Sequence, residues 1–202
     1  MYWPQGEGDL RMQNPYWIAY RNLRTNNKKR YMLSASLSYD ITDWLNISGR
    51  VRIDNSNTKY EQKLYASSNP TLTEGSTQGF YAIAKPDESQ VYADVLANVN
   101  KRFGDYSLVV NVGASIVDNK YDELSYRGPI RANGIPNVFN VFDLDNTQKK
   151  ARQDEWEEQT QSIFASAELG WKSMLYLTLT GRNDWASQLA NSSATSFFYP
   201  SV

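Results

Sequence analysis

Residues 31–40 read Tyr-Met-Leu-Ser-Ala-Ser-Leu-Ser-Tyr-Asp, and this stretch decides the fold class of the chain. Every odd-numbered position in it is apolar or aromatic, whereas the even-numbered positions after Met32 are serine or aspartate. Successive side chains of a β-strand point to opposite faces, so this alternation predicts a strand with one apolar and one polar face.

The same alternation recurs along most of the chain. Apolar side chains take every second position in further segments, at residues 45–54, 91–100, 107–116, 163–171 and 175–182. A last strand is predicted to begin near Phe197. No segment shows convincing helical periodicity. The pattern therefore predicts an all-β chain, folded as an antiparallel up-and-down sheet of about six to seven strands.

The connections between the predicted strands are short at one end of each hairpin and long at the other. Tight turns fall at residues 41–43, 103–105 and 172–173, and long polar segments fall at residues 57–88, 120–158 and 184–195. This asymmetry is typical of a segment of a large transmembrane β-barrel, with short periplasmic turns and long extracellular loops. A soluble β-sandwich also alternates, but its loop lengths are usually distributed less regularly.

Aromatic residues flank all three tight turns. In a barrel they would lie at one height and form the girdle that sits at the lipid headgroups. The alternative is that aromatic residues are simply common in strands. The residues concerned are Tyr39, Trp44, Phe103, Tyr106, Trp171 and Tyr176.

The composition excludes several classes of protein. The 202 residues include no cysteine and no histidine, which removes disulfide scaffolds, Cys/His zinc sites and imidazole bases. The net charge of −1 comes from charges spread along the chain, unlike the basic stripe of a nucleic-acid-binding protein. No apolar run approaches the roughly 18 residues of a membrane-spanning helix. The mean hydropathy of −0.62 is still compatible with a barrel, in which only alternate residues face lipid.

Several stretches of the chain carry a family resemblance. They are residues 14–17, 37–45, 113–116 with 118–119, 175–185 and 196–202, and the most specific is 175–185, Leu-Tyr-Leu-Thr-Leu-Thr-Gly-Arg-Asn-Asp-Trp. In this order they resemble the SusC/RagA family of TonB-dependent outer-membrane transporters from Bacteroidetes. Members of that family have an N-terminal plug, a TonB-contacting segment and a barrel of about 22 strands.

The resemblance implies that residues 1–202 are part of a TonB-dependent receptor β-barrel domain. The plug, the TonB-contacting segment, the signal peptide and the closing strands are expected to be absent, and the chain is not expected to transport anything alone. Two unpaired sheet edges would remain, which lipid does not tolerate.

The resemblance also implies a function and a location. The complete protein is expected to import oligosaccharides or peptides across the cell outer membrane, in contact with its lipid and with a SusD-like surface lipoprotein. The TonB–ExbB–ExbD complex would supply the energy through the plug. The mechanism would be gated binding and release, so we expect no enzymatic activity and no cofactor.

Two groups of residues are candidates for contact with cargo or a partner. Charged side chains on the polar side of their strands would line the lumen, or pair with one another or with the plug: Arg50, Arg52, Asp54, Asp94 and Arg182. Aromatic residues predicted to lie in loops would stack on sugar rings, pack the loops or form the surface where a lipoprotein docks: Tyr16, Trp17, Tyr121, Tyr126 and Trp156.

The residues leave other functions open. A soluble all-β module could bind carbohydrate through exposed aromatic residues. A β-rich glycosidase could use paired carboxylates from the acidic cluster Asp154, Glu155, Glu157 and Glu158, although a solvated loop or strand end explains that cluster too. Residues 142–146 offer oxygen ligands for calcium but lack the glycine and terminal glutamate of an EF-hand loop.

Overall fold

The structure is a computed structural model that describes residues 14–193 and 195–202. A short helix, α1 (Pro15–Arg21), precedes the first strand, and a 3-10 helix (Ser187–Leu189) lies between the last two. No helix in the described part of the chain is long and apolar enough to cross a membrane. The strands are β1 (Asn22–Thr42), β2 (Leu45–Tyr65), β3 (Gly79–Phe103), β4 (Tyr106–Pro129), β5 (Lys150–Trp171), β6 (Leu175–Ala186) and β7 (Ser196–Ser201).

The strands form one open antiparallel sheet in the order β1-β2-β3-β4-β5-β6-β7, so each strand pairs with its neighbours in sequence. The prediction of an all-β, up-and-down arrangement of six to seven strands is confirmed. The connections at residues 43–44, 104–105 and 172–174 are tight, and those at 66–78, 130–149 and 187–195 are longer, as the sequence predicted.

The strands are longer than the alternation predicted. β2 continues to Tyr65, β3 begins at Gly79, β4 continues to Pro129 and β5 begins at Lys150. About half of residues 57–88 and 120–158 is therefore strand, and the prediction that these segments are loops over their whole length was wrong. The physical reason is that the alternation is lost there. Most of these strand extensions carry polar residues on both faces, and residues 80–84 are apolar at successive positions, although the backbone hydrogen bonds continue.

One compact unit comprises, within the described residues, 14–30, Ser56–Glu88 and Tyr121–Glu155. It contains the buried hydrophobic side chains of the described chain: Leu64, Phe80, Tyr81, Ile130 and Leu144. Ile130 and Leu144 form an isolated β-bridge and are each 1% exposed. Ile130 and Leu144 both belong to the connection between β4 and β5, so this connection contributes to the small core of the unit.

Gly79 enables one close approach in this unit. Its φ of +118° lies in a region that L side chains rarely adopt, and a β-carbon there would lie 2.7 Å from the carbonyl oxygen of Leu64. Its own carbonyl oxygen accepts a hydrogen bond of 2.9 Å from the backbone N–H of Ile130. A glycine at the start of β3 therefore lets the β4–β5 connection attach to the strand.

A second compact unit comprises Tyr31–Asn55, Ser89–Lys120 and Trp156–Val202. It holds the alternating segments and the three tight turns. None of the buried hydrophobic residues of the described chain lies in this unit. Its apolar side chains are instead on the surface of the sheet.

Candidate functional site

The second unit carries a continuous apolar face. Leu169 of β5 pairs with Leu177 of β6, and Trp171 pairs with Leu175, so the apolar rows of these strands share one face of the sheet. Their side chains are between 41% and 65% exposed. Soluble monomers rarely expose contiguous apolar patches larger than a few hundred Å². Large apolar residues of the other strands in this unit are also exposed, including Leu33, Leu37, Val51, Val95 and Val112.

The apolar face ends in charged and amide side chains. Beyond Ile116 on β4 the same row continues with polar residues, and Lys120 Nζ lies 2.9 Å from Glu157 Oε1 of β5. Gln159 donates a hydrogen bond of 3.4 Å to Asp118 Oδ2. On β5 the apolar row occupies residues 163–171, about the nine to eleven residues that a tilted transmembrane strand needs.

Aromatic rings mark the other end of this face. The ammonium groups of Lys101 and Lys172 lie 5.0 Å and 5.2 Å from the ring centroids of Trp44 and Trp171. Such cation–π contacts place a charged tip and an apolar ring at the same level. The predicted aromatic residues do flank the turns and are exposed: Tyr39, Trp44, Phe103, Tyr106, Trp171 and Tyr176. Tyr176, which pairs with Gly170, lies on the opposite face of the sheet, with Glu168 and Thr178.

The opposite face carries a chain of hydrogen bonds from β2 to β5. Arg52 donates to Gln90 Oε1 (3.4 Å), Gln90 donates to Asn119 Oδ1 (2.8 Å), and Asn119 donates to Glu158 Oε1 (3.0 Å). Gln188 of the 3-10 helix donates to the other oxygen of Glu158. A guanidinium can only donate and a carboxylate can only accept, so the chain has one direction.

Arg50 and Asp94, both predicted as lumen-facing, form an ion pair on this face. Arg50 Nη2 lies 2.8 Å from Asp94 Oδ2, and Arg50 Nε donates to the same oxygen over 2.9 Å. The guanidinium carbons of Arg50 and Arg52 lie 5.4 Å and 5.6 Å from the ring centroid of Tyr92. Asp54, further along β2, has a polar interaction of its own.

Arg182 belongs to a separate pair on β6. Its Nε donates to Asp184 Oδ1 (2.7 Å) and its Nη2 donates to Ser162 Oγ (3.1 Å). The structure therefore brings Arg50, Asp94 and Arg52 together and leaves Arg182 in a different cluster. That these residues line a lumen remains a prediction.

Glycines within strands of the second unit accommodate aromatic rings of the next strand. A β-carbon on Gly170 would lie 2.8 Å from the ring of Tyr176, its cross-strand partner. A β-carbon on Gly181 would lie 3.3 Å from the ring of Phe198 on β7. Such rings shield a strand glycine that would otherwise weaken the sheet.

None of the five candidate aromatic residues lies in a loop, so that placement was wrong. The first two belong to α1, two others belong to β4 and the last belongs to β5: Tyr16, Trp17, Tyr121, Tyr126 and Trp156. The strands extend into the segments predicted as loops, which accounts for the last three. Trp156 is 50% exposed and Tyr126 is half-buried, and contact with cargo or a partner remains a prediction for all five.

Trp17 anchors α1 to the first unit, and Tyr16 does not. The indole N–H of Trp17 donates to Ser68 Oγ over 3.0 Å, and the guanidinium of Arg21 lies 4.9 Å from the ring of Tyr65. Tyr16 is 77% exposed, and the side chain of Tyr20, one helical turn later, is also mostly exposed. Sequence reasoning missed Tyr20, although the spacing of four residues from Tyr16 places both rings on one helix face.

Tyr121 is tied to an acidic neighbour on β4. Its hydroxyl donates to Glu123 Oε2 at 2.5 Å. This hydrogen bond, together with burial and the negative charge of Glu123, raises the pKa of Tyr121 to about 12. The hydroxyl is therefore already engaged within the strand.

The acidic cluster lies within β5 instead of at the mouth of a loop. Alternation along the strand turns Asp154 and Glu158 to one face and Glu155 and Glu157 to the other. Asp154 pairs with Arg152 at 2.5 Å, and Glu157 and Glu158 take the partners described above. This arrangement gives the carboxylates structural partners instead of a shared reaction centre.

The carboxylates of residues 142–146 also have protein partners. Asp143 Oδ1 lies 2.8 Å from Arg131 Nη2, and Asp145 Oδ1 accepts from the backbone N–H of Thr147 at 2.8 Å. Leu144 between them is buried. Within residues 14–193 and 195–202, no group of three or more acidic side chains is placed to hold a metal ion.

Comparisons with known proteins find likeness in structure only. No protein-family model matches the chain, and no curated protein matches it. A solved structure of the RagAB peptide transporter superposes with a TM-score of 0.78 at 13% identity, covering 94% of this chain and 21% of that chain. The likeness shows the fold. Two structures of the RagAB peptide importer, in its closed-closed and open-open states, give TM-scores of 0.75 and 0.73 at 14% identity, with 94% and 20% of the two chains covered.

This chain therefore spans about a fifth of the length of the solved chains that it matches. The superposition covers nearly all of the present chain, so the open sheet as a whole is shared. The transport activity of the complete importer is a property of those solved proteins.

Proposed function

We propose that this chain forms part of the barrel wall of a SusC-like, TonB-dependent importer in the cell outer membrane. Its apolar face would contact outer-membrane lipid and its opposite face would line the lumen. The observation that carries this proposal is the exposed apolar face of the second unit, which has the span of a membrane strand and ends in aromatic rings on one side and charges on the other.

The alternative, a soluble carbohydrate-binding module, fits this surface less well. A soluble sandwich would cover its apolar rows with a second sheet. In the described part of the chain the buried hydrophobic residues belong to the first unit, and the rows of β5 and β6 in the second unit face outward. Leaving so much apolar surface in water is unfavourable at roughly 25 cal/mol per Å².

The cargo and partners of the complete importer follow from the same proposal. It would carry oligosaccharides or peptides, and the RagAB peptide transporter, which shares the fold, supports import as the activity. A SusD-like lipoprotein would cover the outer side, and TonB–ExbB–ExbD would act through a plug. No bond is made or broken in this mechanism, so the protein is not an enzyme and needs no cofactor.

Fractionation of the source cells tests the proposal. An antibody against residues 130–149, the connection between β4 and β5, would be used on inner-membrane, outer-membrane and soluble fractions. Recovery in the outer membrane, with the epitope accessible to antibody on intact cells, is the expected result. Recovery in the soluble fraction would overturn the proposal and favour the carbohydrate-binding module.

A further inference from the structure

Arg52 has an unusual electrostatic setting on the polar face of the second unit. The neighbouring guanidinium of Arg50 is neutralised by Asp94, whose side chain is only 13% exposed. Arg52 is exposed, and its contacts within the described chain are to neutral groups: the amide oxygen of Gln90 and the ring of Tyr92. The two guanidinium groups therefore share one aromatic ring, and of the two only Arg50 contacts the carboxylate of Asp94.

The geometry around Arg52 limits how its guanidinium can turn. Tyr92 is half-buried and lies beneath the guanidinium, and Gln90 takes one of its N–H groups. Gln90 is itself fixed by donating to Asn119, which donates to Glu158. A guanidinium has five N–H donors in one plane, so several donors remain for a ligand.

We propose that Arg52, resting on Tyr92, is an anchoring subsite for a carboxylate group of the imported cargo. The planar pair of N–H donors matches the two oxygens of a carboxylate, and such bidentate pairs are the stronger hydrogen bonds of proteins. Arg50, Asp94 and Arg52 together carry one positive charge, and one carboxylate would neutralise it. This inference rests on the proposed function and adds the chemical class of the cargo.

Either of two kinds of cargo could supply the carboxylate: the C-terminus of a peptide or the uronic acid of an acidic oligosaccharide. Both present a planar, singly charged group that is free to approach an exposed arginine. The subsite recognises the shared group, and the experiment separates the two sources.

Equilibrium binding to the protein purified from its outer membrane tests the subsite. The probes are labelled tetra-alanine as the free acid and as the C-terminal amide, and labelled trigalacturonate with maltotriose as its neutral counterpart. We expect the charged member of at least one pair to bind about tenfold more tightly than its neutral counterpart. The pair that shows the preference identifies the source of the carboxylate.

Variants assign that preference to Arg52. In Arg52→Gln the preference should disappear, and in Arg52→Lys it should return only in part, since an ammonium group cannot form the bidentate pair. Arg152→Gln is the matched control, because Arg152 is exposed and already paired with Asp154. Heat-modifiable migration on electrophoresis checks that each variant is folded.

Equal binding of charged and neutral probes, or a preference that survives Arg52→Gln, would overturn the subsite. Either result is compatible with recovery of the protein in the outer-membrane fraction. The fractionation experiment therefore tests the proposed function separately from the carboxylate subsite.

Discussion

The ring of Phe164 on β5 lies where a side chain on Gly113 of β4 would have to be. A β-carbon built on Gly113 would be 2.6 Å from one ring carbon of Phe164 and 2.7 Å from another, and 2.9 Å from the carbonyl oxygen of Val95. The glycine and the ring therefore form a complementary packing pair between neighbouring strands. A substitution of either residue alone is expected to lower the stability of the protein.

Gly113→Ala should destabilise the protein by about 1–3 kcal/mol, because the added methyl group overlaps both a ring and a backbone oxygen. The midpoint of urea unfolding in detergent would measure this. Gly49→Ala is the matched control, since its β-carbon would meet only Asp94 O at 3.7 Å. Phe164→Leu in the Gly113→Ala background should recover part of the lost stability. Equal effects of the two alanine substitutions would contradict the complementary packing of Gly113 and Phe164.

Ser173→Gly should stabilise the β5–β6 hairpin by about 0.5–1 kcal/mol. Lys172 and Ser173 have φ values of +52° and +55°, which glycine adopts more readily than L residues with side chains. Thermal unfolding followed by circular dichroism would detect the gain. Asp43→Gly, in a turn residue without a positive φ, should give no gain, and a gain of equal size there would refute the argument.

Leu177→Arg should lower stability in lipid far more than Thr178→Arg, although the two residues are adjacent on β6. Leu177 belongs to the apolar face with Leu169, whereas Thr178 faces the opposite side with Glu168. A charge on the lipid face costs about 2–4 kcal/mol near the middle of a bilayer and about 0–1 kcal/mol near its interface, and Leu177, in the next pair on this face after Trp171 and Leu175, lies between the two. Reversible unfolding in phospholipid vesicles would compare them, and similar losses would argue against lipid contact.

Tyr121 should ionise near pH 12, since the hydrogen bond to Glu123 and burial raise the pKa of its phenol. The pKa of Tyr121 in the folded protein lies above the ordinary value of about 10. The contribution of its protonated, hydrogen-bonded phenol to stability is therefore complete below pH 10 and declines as the pH rises toward 12. The difference in absorbance at alkaline pH between wild type and Tyr121→Phe isolates this phenol. Glu123→Gln should lower its pKa, and an unchanged titration would exclude the carboxylate as a cause.

The sequence predicted the strands best where lipid or another apolar medium would select one face. Residues 31–40 and 163–171 alternate, and both lie within observed strands. The alternation stops where both faces are polar, so the continuation of β2 to Tyr65 and of β4 to Pro129 could not be read from it. Helix α1 was missed because one turn or two of helix gives too little periodicity to detect.

The candidate residues were predicted by type and strand face but not by partner. Arg50 and Asp94 were both assigned to the polar side, yet their ion pair joins residues 44 positions apart. The contact of Trp17 with Ser68 joins residues 51 positions apart. No local pattern fixes which side chains meet over such separations, since the register of the sheet decides it.

The hydrogen-bond chain from Arg52 to Glu158 couples its two ends. A guanidinium that only donates and a carboxylate that only accepts leave one orientation for the amides of Gln90 and Asn119 between them. Neutralising Glu158 would remove one of the two groups that favour this orientation, and Asn119, which contacts Glu158, would then be held only through Gln90 and Arg52. A change where Gln188 contacts Glu158 would therefore alter the strength of the hydrogen bonds between Glu158 and Arg52 without any movement of the backbone, while the order of donors and acceptors stays the same.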